Sequence, residues 1–357
     1  MTEGAGVIGT GTIYRPFRPD NTGNILHAVA ARRLLQNHTD LPTTRLWSEK
    51  ETEKARSMTH IVVVMANAIR LGETEGGLSA HHDIMAQNLA RTNQPVVVFG
   101  LGAQAAAGRE VAMTMPEPTL RLLRIIADRS QRIAVRGAFT AEVLEKFGIK
   151  KAAVLGCQSC FISLTPKFPH ALNRPLKQGS RVAFNYTSIS REAPLVKWAV
   201  EQELDMVGQQ EGYEELLKAD QPPPADAKME RFYSTQGIPA ETYAAYCRTH
   251  FHKFFEQDSW LAHMARYDFS TGSRFHGNMA ALQAGVPALW MTHDRRTQEL
   301  CELLKLPSMP LEDAIRIRDL ATLRAAADYS GFLSAYPARY AQFKAYLDES
   351  GLPHRLA

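Results

Sequence analysis

Short, unbroken apolar runs separated by segments of helix length are the feature that most restricts how this chain can fold. Ile61-Val62-Val63-Val64-Met65, Val96-Val97-Val98-Phe99 and Ile133-Ala134-Val135 are apolar at every position. A strand with one wet face alternates, whereas a strand without alternation has both faces covered. The intervening stretches are long enough for helices, and helices on both faces of a parallel sheet cover such strands twice. The same logic predicts a strand over 7–14, a polar loop through Asp20 and a helix over about 24–35. Phe139, Val143, Leu144 and Phe147 recur at helical spacing, Gly148 stops that helix, and 152–155 returns to the sheet.

The pattern is interrupted once. Residues 164–180 hold three prolines and no periodicity, which marks a linker. Beyond it the alternation restarts, with strands expected over 181–186 and 204–207 and a helix over 194–203. Gln221-Pro222-Pro223-Pro224 opens a surface excursion, a helix is expected over about 240–265, and a terminal helix over 336–347. At 357 residues, one ordinary core is too small for the chain. The expected fold is therefore α/β: two Rossmann-like domains with mainly parallel sheets facing a cleft. Residues 1–164 form the first domain, 181–335 the second, and 336–357 the terminal helix. Ligands of such sheets sit at the carboxyl ends of the strands, where loops lead into helix N-termini.

Charge and cysteine usage narrow the partners. Lys and Arg number 41 against 37 Asp and Glu, a net charge of +4. That excess suits a small anionic substrate or an anionic membrane surface, and is too weak for nucleic acid. No apolar run approaches the ~18 residues of a membrane-spanning helix, and the first residues lack a secretory pattern. A cytoplasmic protein is expected, with contact at the inner membrane face compatible with the charge. Cys157 and Cys160 form a C-x-x-C, but Cys247 and Cys301 stand alone. The pair reads as two thiols at a strand end in a reducing compartment rather than a zinc site. His81-His82-Asp83 also assigns no metal, because adjacent histidines on a helix diverge by ~100°.

The segment richest in chemistry is Gly272-Ser273-Arg274-Phe275-His276-Gly277, followed by a small-residue helix to Gly285 and Pro287. A strand ending near Thr271 leads into a helix N-terminus, whose free N–H groups and partial positive charge favour an anion. Arg274 offers a planar fork for carboxylate or phosphate, and His276 can exchange a proton near neutrality. The alternative is an Arg274 paired with a structural acid and a His276 that caps the helix.

This segment resembles the G-x-R-x-H motif of polysaccharide pyruvyl transferases, and three further segments agree in order. Asn21-Thr22-Gly23-Asn24 is similar to the family's N-x-G-D loop, with Asn24 in the acidic position. Phe99-Gly100-Leu101-Gly102-Ala103-Gln104 is similar to its glycine turn after a central strand. Ile133-Ala134-Val135-Arg136-Gly137-Ala138-Phe139-Thr140 is similar to its R-D-x-x-S/T segment, with Gly137 where Asp is common. The resemblance covers about 10–310 and implies a GT-B-like fold.

It also implies that the enolpyruvyl carbon of phosphoenolpyruvate moves onto sugar hydroxyls as a ketal, with loss of phosphate and no cofactor beyond the donor. The acceptor would be a sugar or a lipid-linked oligosaccharide in cell-surface polysaccharide biosynthesis. By the same resemblance His276 is the acid–base group, and Arg136 and Arg274 hold the donor's anionic groups from opposite walls of the cleft. Ser273, Gly102 and Gln104 are assigned to substrate binding, with a plain strand-to-helix turn as the alternative for the last two. Asn21, Gly23 and Asn24 either bond a sugar or phosphate or form a loop and helix cap. His293, Asp294 and Arg295 follow a strand over 288–291 and either line the donor pocket or form a charged loop with Asp294 as a cap. Two other classes share these features: a GT-B glycosyltransferase using a nucleotide sugar, and a carbohydrate-binding protein without activity.

Overall fold

The computed structural model describes residues 4–9, 21–66, 68–72, 78–104 and 113–357. The second part of the strand expected over 7–14 and the loop through Asp20 lie outside these residues.

Among the described residues, strands of the first half are β1 (Ala5–Gly9), β2 (His38–Asp40), β3 (Ile61–Val64), β4 (Ile69–Arg70), β5 (Val96–Phe99), β6 (Ala103–Gln104), β7 (Ile133–Val135) and β8 (Ala152–Val154). Four of them form a parallel sheet in the order β2-β1-β3-β5. The pair β7-β8 continues from its edge through a parallel bridge between Leu101 and Val135. Every residue of β3, β5 and β7 is buried, as their lack of alternation requires.

After the proline-rich segment come β9 (Val182–Asn185), β10 (Asp205–Gly208), β11 (Phe251–Lys253), β12 (Phe269–Gly272), β13 (Ala288–Thr292) and β14 (Ser308–Pro310). They form one parallel sheet in the order β11-β10-β9-β12-β13-β14, so the order reverses at β9. The carboxyl ends of β9 and β12 flank that switch point, where doubly wound sheets bind ligands.

Two expectations need correction. The single helix expected over 240–265 is a helix Ala240–His250, the edge strand β11 and a second helix Gln257–Met264. The strand escaped notice because Phe251-His252-Lys253 is too short for a period and only Phe251 is fully buried. The excursion after Pro222 contains a helix, Ala227–Gln236, capped by the Asp226 carboxylate on the Lys228 and Met229 amides.

The terminal helix runs from Ser330 to Glu349 and does not stay with the second sheet. Its Phe343 ring packs 5.7 Å from Phe99 and 5.0 Å from Phe161. Tyr346 Oη accepts from the Val98 amide at 3.1 Å and donates to the Val98 carbonyl at 2.8 Å. One apolar cluster consequently runs from Val62 and Phe99 through Phe161 and Phe168 to Phe184 and Trp290. A second cluster, built on Ile61, Val63 and Leu122, covers the other face of the first sheet. No helix of the described residues is long and apolar enough to cross a membrane.

Candidate active site

At the end of β12 the chain turns through Gly272 at φ +143°, a conformation closed to residues with a Cβ, and a Cβ there would strike the Asn185 carbonyl. Asn185, at the end of β9, pins the turn from the other strand. Its Oδ1 accepts from the Arg274 amide at 2.8 Å and its Nδ2 donates to Asn278 Oδ1 at 2.9 Å. Asn278 Nδ2 closes the loop on the Gly272 carbonyl at 2.9 Å. The helix Phe275–Gln283 is buried along its whole length, with Arg274 at its N-cap.

Arg274 does not stand free at this helix start. Its Nε donates to the Tyr186 carbonyl at 2.8 Å and its Nη1 to Gln210 Oε1 at 2.9 Å, while Nη2 pairs with the Glu211 carboxylate. The side chains of Arg274 and Glu211 are 7% and 4% exposed, so this is a buried ion pair. All three guanidinium nitrogens are engaged by these partners. Ser273 is likewise committed, with its hydroxyl lying between the Glu192 carboxylate and Thr187 Oγ1.

His276 faces the first half of the chain. Its Nε2 lies 3.5 Å from Cys157 Sγ, and its ring meets His27 edge-on with centroids 6.0 Å apart. Arg136, at the end of β7, brings Nη2 to 3.9 Å from the same sulfur and is 4% exposed. Burial holds the His276 pKa well below the usual histidine value, and the positive charges of Arg136 and Arg296 push it in the same direction. The free imidazole is thus neutral at neutral pH.

Arg296 is the residue the sequence reading missed. It pairs with Asp294 at 3.1 Å and keeps its side chain 23% exposed, and its charge acts on Arg136, His276 and His293 together. Arg136 from the first half and Arg296 from the second therefore both act by charge on His276, where Arg136 and Arg274 were expected. Nothing in the sequence separates Arg296 from Arg295 beside it. In the structure Arg295 points away: it bonds Glu299 at 3.0 Å, stacks 5.2 Å over Phe139 and is 66% exposed.

His293 is enclosed, with its side chain 6% exposed and Nδ1 lacking a hydrogen-bond partner. Burial first, then Arg191, Arg296 and Arg274 against the opposing Asp294, lowers its pKa to about 4. Asp294 caps the helix Arg295–Leu304 through the Thr297 amide at 2.7 Å. Beside these residues, between the ends of β13 and β14, lies a cavity of about 700 Å³ lined by His293, Asp294, Arg295, Glu299, Glu302 and Glu312 among others.

The remaining sequence candidates build the frame. Asn21 Oδ1 accepts from the Gly23 amide at 3.0 Å, and Thr22 donates its amide to the Gln209 carbonyl at 3.0 Å, so this loop seats the first helix against β10. Asn24 donates its amide to the Asn21 carbonyl within the same turn. Gln104 pairs with Arg70 in the small ladder β4-β6 and is exposed, and the Gly102 carbonyl beside it accepts from the Ile69 amide at 3.1 Å. Gly137 has its side-chain space filled by Glu299, whose Oε2 accepts from the Phe139 amide at 3.4 Å. An Asp at 137 would collide with that carboxylate, which accounts for the glycine. Away from the site, His82 bonds Thr119 at 2.8 Å and Asp83 pairs with Arg121. The four cysteines are buried free thiols, and among the described residues no group of three ligands could hold a metal.

A family model of polysaccharide pyruvyl transferases matches residues 21–295. The chain belongs to the polysaccharide pyruvyl transferase family. No curated protein is similar to it in sequence. Among solved structures it is similar to Anabaena HepE in complex with UDP and glucose, at 9% identity, TM-score 0.51, covering 98% of this chain and 99% of that one. It is also similar to S. aureus MnaA with UDP (11% identity, TM-score 0.43, 98% and 97% covered). A third is UDP-GlcNAc 2-epimerase from Neisseria meningitidis bound to UDP-GlcNAc (10%, TM-score 0.41, 97% and 100%). At these identities the likeness concerns the fold, a GT-B-type pair of parallel α/β sheets. This pyruvyl transferase family member thus carries its G-x-R-x-H histidine at the meeting of the two halves, while the motif arginine bonds Tyr186, Gln210 and Glu211.

Proposed function

We propose that this protein moves the pyruvyl group of phosphoenolpyruvate onto two hydroxyls of a saccharide, as a cytoplasmic transferase of cell-surface polysaccharide assembly. The acceptor is a sugar or a lipid-linked oligosaccharide met at the inner membrane face, and the donor serves without a further cofactor. The observation that carries this reading is His276: a buried imidazole at a helix N-terminus, 3.5 Å from Cys157 and under the charges of Arg136 and Arg296, in a chain of this family.

In this reading Arg136 and Arg296 receive the donor's carboxylate and phosphate, since charged forks suit both groups. The first hydroxyl adds to C2 of the enol, and C3 gains a proton. His276 accepts the hydroxyl proton and delivers the one that C3 receives, which a neutral imidazole can begin and an imidazolium can finish. The second hydroxyl then displaces phosphate from C2 and closes the ketal, so one diol and one phosphoenolpyruvate give one ketal and one phosphate. The negative donor raises the His276 pKa as it binds, opposing the burial that keeps it neutral in the free protein.

Incubation with phosphoenolpyruvate and a panel of glycosides tests this directly. Phosphate release with a glycoside mass gain equal to a ketal-linked pyruvyl group is expected. A nucleotide-sugar donor is the competing reading, since HepE was solved with UDP and glucose. UDP protecting the protein from heat, with phosphoenolpyruvate giving no protection, would decide for it.

A further inference from the structure

Between the acid–base histidine and the arginine assigned to the donor lies a thiol, Cys157. It follows β8, whose Val154 pairs with Val135 of β7, so two neighbouring strand ends deliver Cys157 and Arg136 to one place. The amides of Leu155 and Gly156 both bond the Val135 carbonyl, at 3.0 and 3.2 Å. Gly156 then turns the chain at φ +82°, and Cys157 opens the short 3₁₀ helix Gln158–Phe161. The thiol is fully buried. Around its sulfur lie Ser159 Oγ at 3.0 Å, His276 Nε2 at 3.5 Å and Arg136 Nη2 at 3.9 Å.

Donor and acceptor chemistry restricts how these protons can run. A guanidinium only donates, so the sulfur accepts from Arg136. Ser159 Oγ can take the S–H, which leaves the sulfur a lone pair for an Nε2–H of His276. Which nitrogen of a neutral imidazole carries the proton is set by the bond that the ring makes. With Nε2–H on the sulfur, Nδ1 keeps its lone pair, and no described residue bonds Nδ1. His27, edge-on to His276 at 6.0 Å, is no second proton store. Gln158 Nε2 bonds the His27 carbonyl at 2.9 Å, which marks that nitrogen as a donor, and it also donates to His27 Nδ1 at 3.1 Å. Burial, then the charges of Arg136 and His276, hold the His27 pKa well below the usual histidine value.

Resting on the pyruvyl-transfer reading above, we propose that Cys157 is the positioning residue of His276. It holds the imidazole proton on Nε2 and leaves Nδ1 as the nitrogen that exchanges a proton with substrate. The acceptor O–H bond breaks as the C2–O bond forms, the π pair of C2=C3 becomes the new C3–H bond, and Nδ1 carries the proton between them. Nε2–H stays on the sulfur throughout, so the ring keeps one orientation while it accepts and delivers.

Nitrogen-15 spectra of the His276 ring test the pairing without substrate. In the intact protein labelled at its histidine nitrogens, at pH 7.5, the signal lost in His276→Gln should report a protonated Nε2 and a bare Nδ1. Cys157→Ala should lose that preference and lower kcat by up to about 10²-fold, with little change in KM for phosphoenolpyruvate. Cys157→Ser, which keeps an acceptor, should recover much of both. A proton on Nδ1 in the unsubstituted protein, an Ala variant with unchanged tautomer, or a Ser variant as impaired as Ala would each overturn the proposal. The unsubstituted protein gives its answer even if Cys157→Ala folds poorly. If the tautomer depends on Cys157 but phosphoenolpyruvate yields no product, the pyruvyl-transfer reading fails and the Cys157–His276 pair stands. Ketal formation with a tautomer indifferent to Cys157 refutes the pair alone.

Discussion

Replacing Arg274 by Met separates a structural arginine from a substrate clamp. The guanidinium gives hydrogen bonds to Tyr186, Gln210 and Glu211, and both members of its ion pair are more than nine-tenths buried. Removing one partner of a buried pair costs roughly 3–5 kcal/mol, because the other charge is left desolvated. Here the loss should fall near the lower end, since Glu211 Oε2 still accepts from the Gln210 amide at 2.7 Å and from Gln209. At roughly 2–4 °C per kcal/mol for a domain of this size, a loss of about 3 kcal/mol should lower Tm by roughly 6–12 °C. Replacing both Arg274 and Glu211 by Met removes the two charges together and should recover much of that loss. Thermal denaturation of the two single variants and the double variant closes the cycle. An Arg274→Met protein with unchanged Tm and a large rise in KM for phosphoenolpyruvate would show that the observed pair breaks when substrate binds.

Further consequences are as direct. His276→Gln should lose ~10²–10⁴-fold in kcat while phosphoenolpyruvate still binds, and near-normal turnover would move the proton transfer elsewhere, with His293 the next candidate. Arg296→Gln should raise the donor KM far more than Arg295→Gln, because only Arg296 acts on His276; equal effects would refute its assignment. Stability should fall on acidification: His82 and His293 are held at about 4 by burial, against ~6.5 when unfolded. The unfolded chain therefore binds more protons between those values. Their contribution is complete above ~6.5 and is lost as pH drops toward ~4, to an upper limit of roughly 3 kcal/mol each. Urea midpoints at pH 7.5 and 5 check the sign, and a midpoint that rises at pH 5 would contradict it.

The parts of this architecture that were readable in the sequence are those written in local periodicity. The unbroken valines of β3 and β5 announced doubly covered strands, and glycines before and after Arg274-Phe275-His276 announced a strand-to-helix turn. What the sequence does not show are contacts made at long range. Glu211 reaches Arg274 from 63 positions away, and Cys157 reaches His276 across 119. No spacing rule signals either meeting. Arg296 and Arg295 are chemically identical neighbours, and only the phase of their helix sets one on Asp294 and the other over Phe139. The edge strand β11 failed for a different reason: a three-residue strand offers no repeat to detect.

The terminal helix has a consequence for the order in which the protein can be made. Phe343 covers Phe99, and Tyr346 bonds both backbone groups of Val98, in a strand completed some 240 residues earlier. During synthesis at ~5–20 residues per second, the part of that face under Phe343 and Tyr346 must wait until they leave the ribosome, while Leu26, Ala30, Leu34 and Phe161 can already join the same core. The first half therefore emerges with an apolar patch around Val98 and Phe99 that only the terminal helix completes, a natural holding point for a chaperone. A ribosome-stalled chain ending at residue 330 should bind such a holdase and resist compaction, although every strand of both sheets has already been translated.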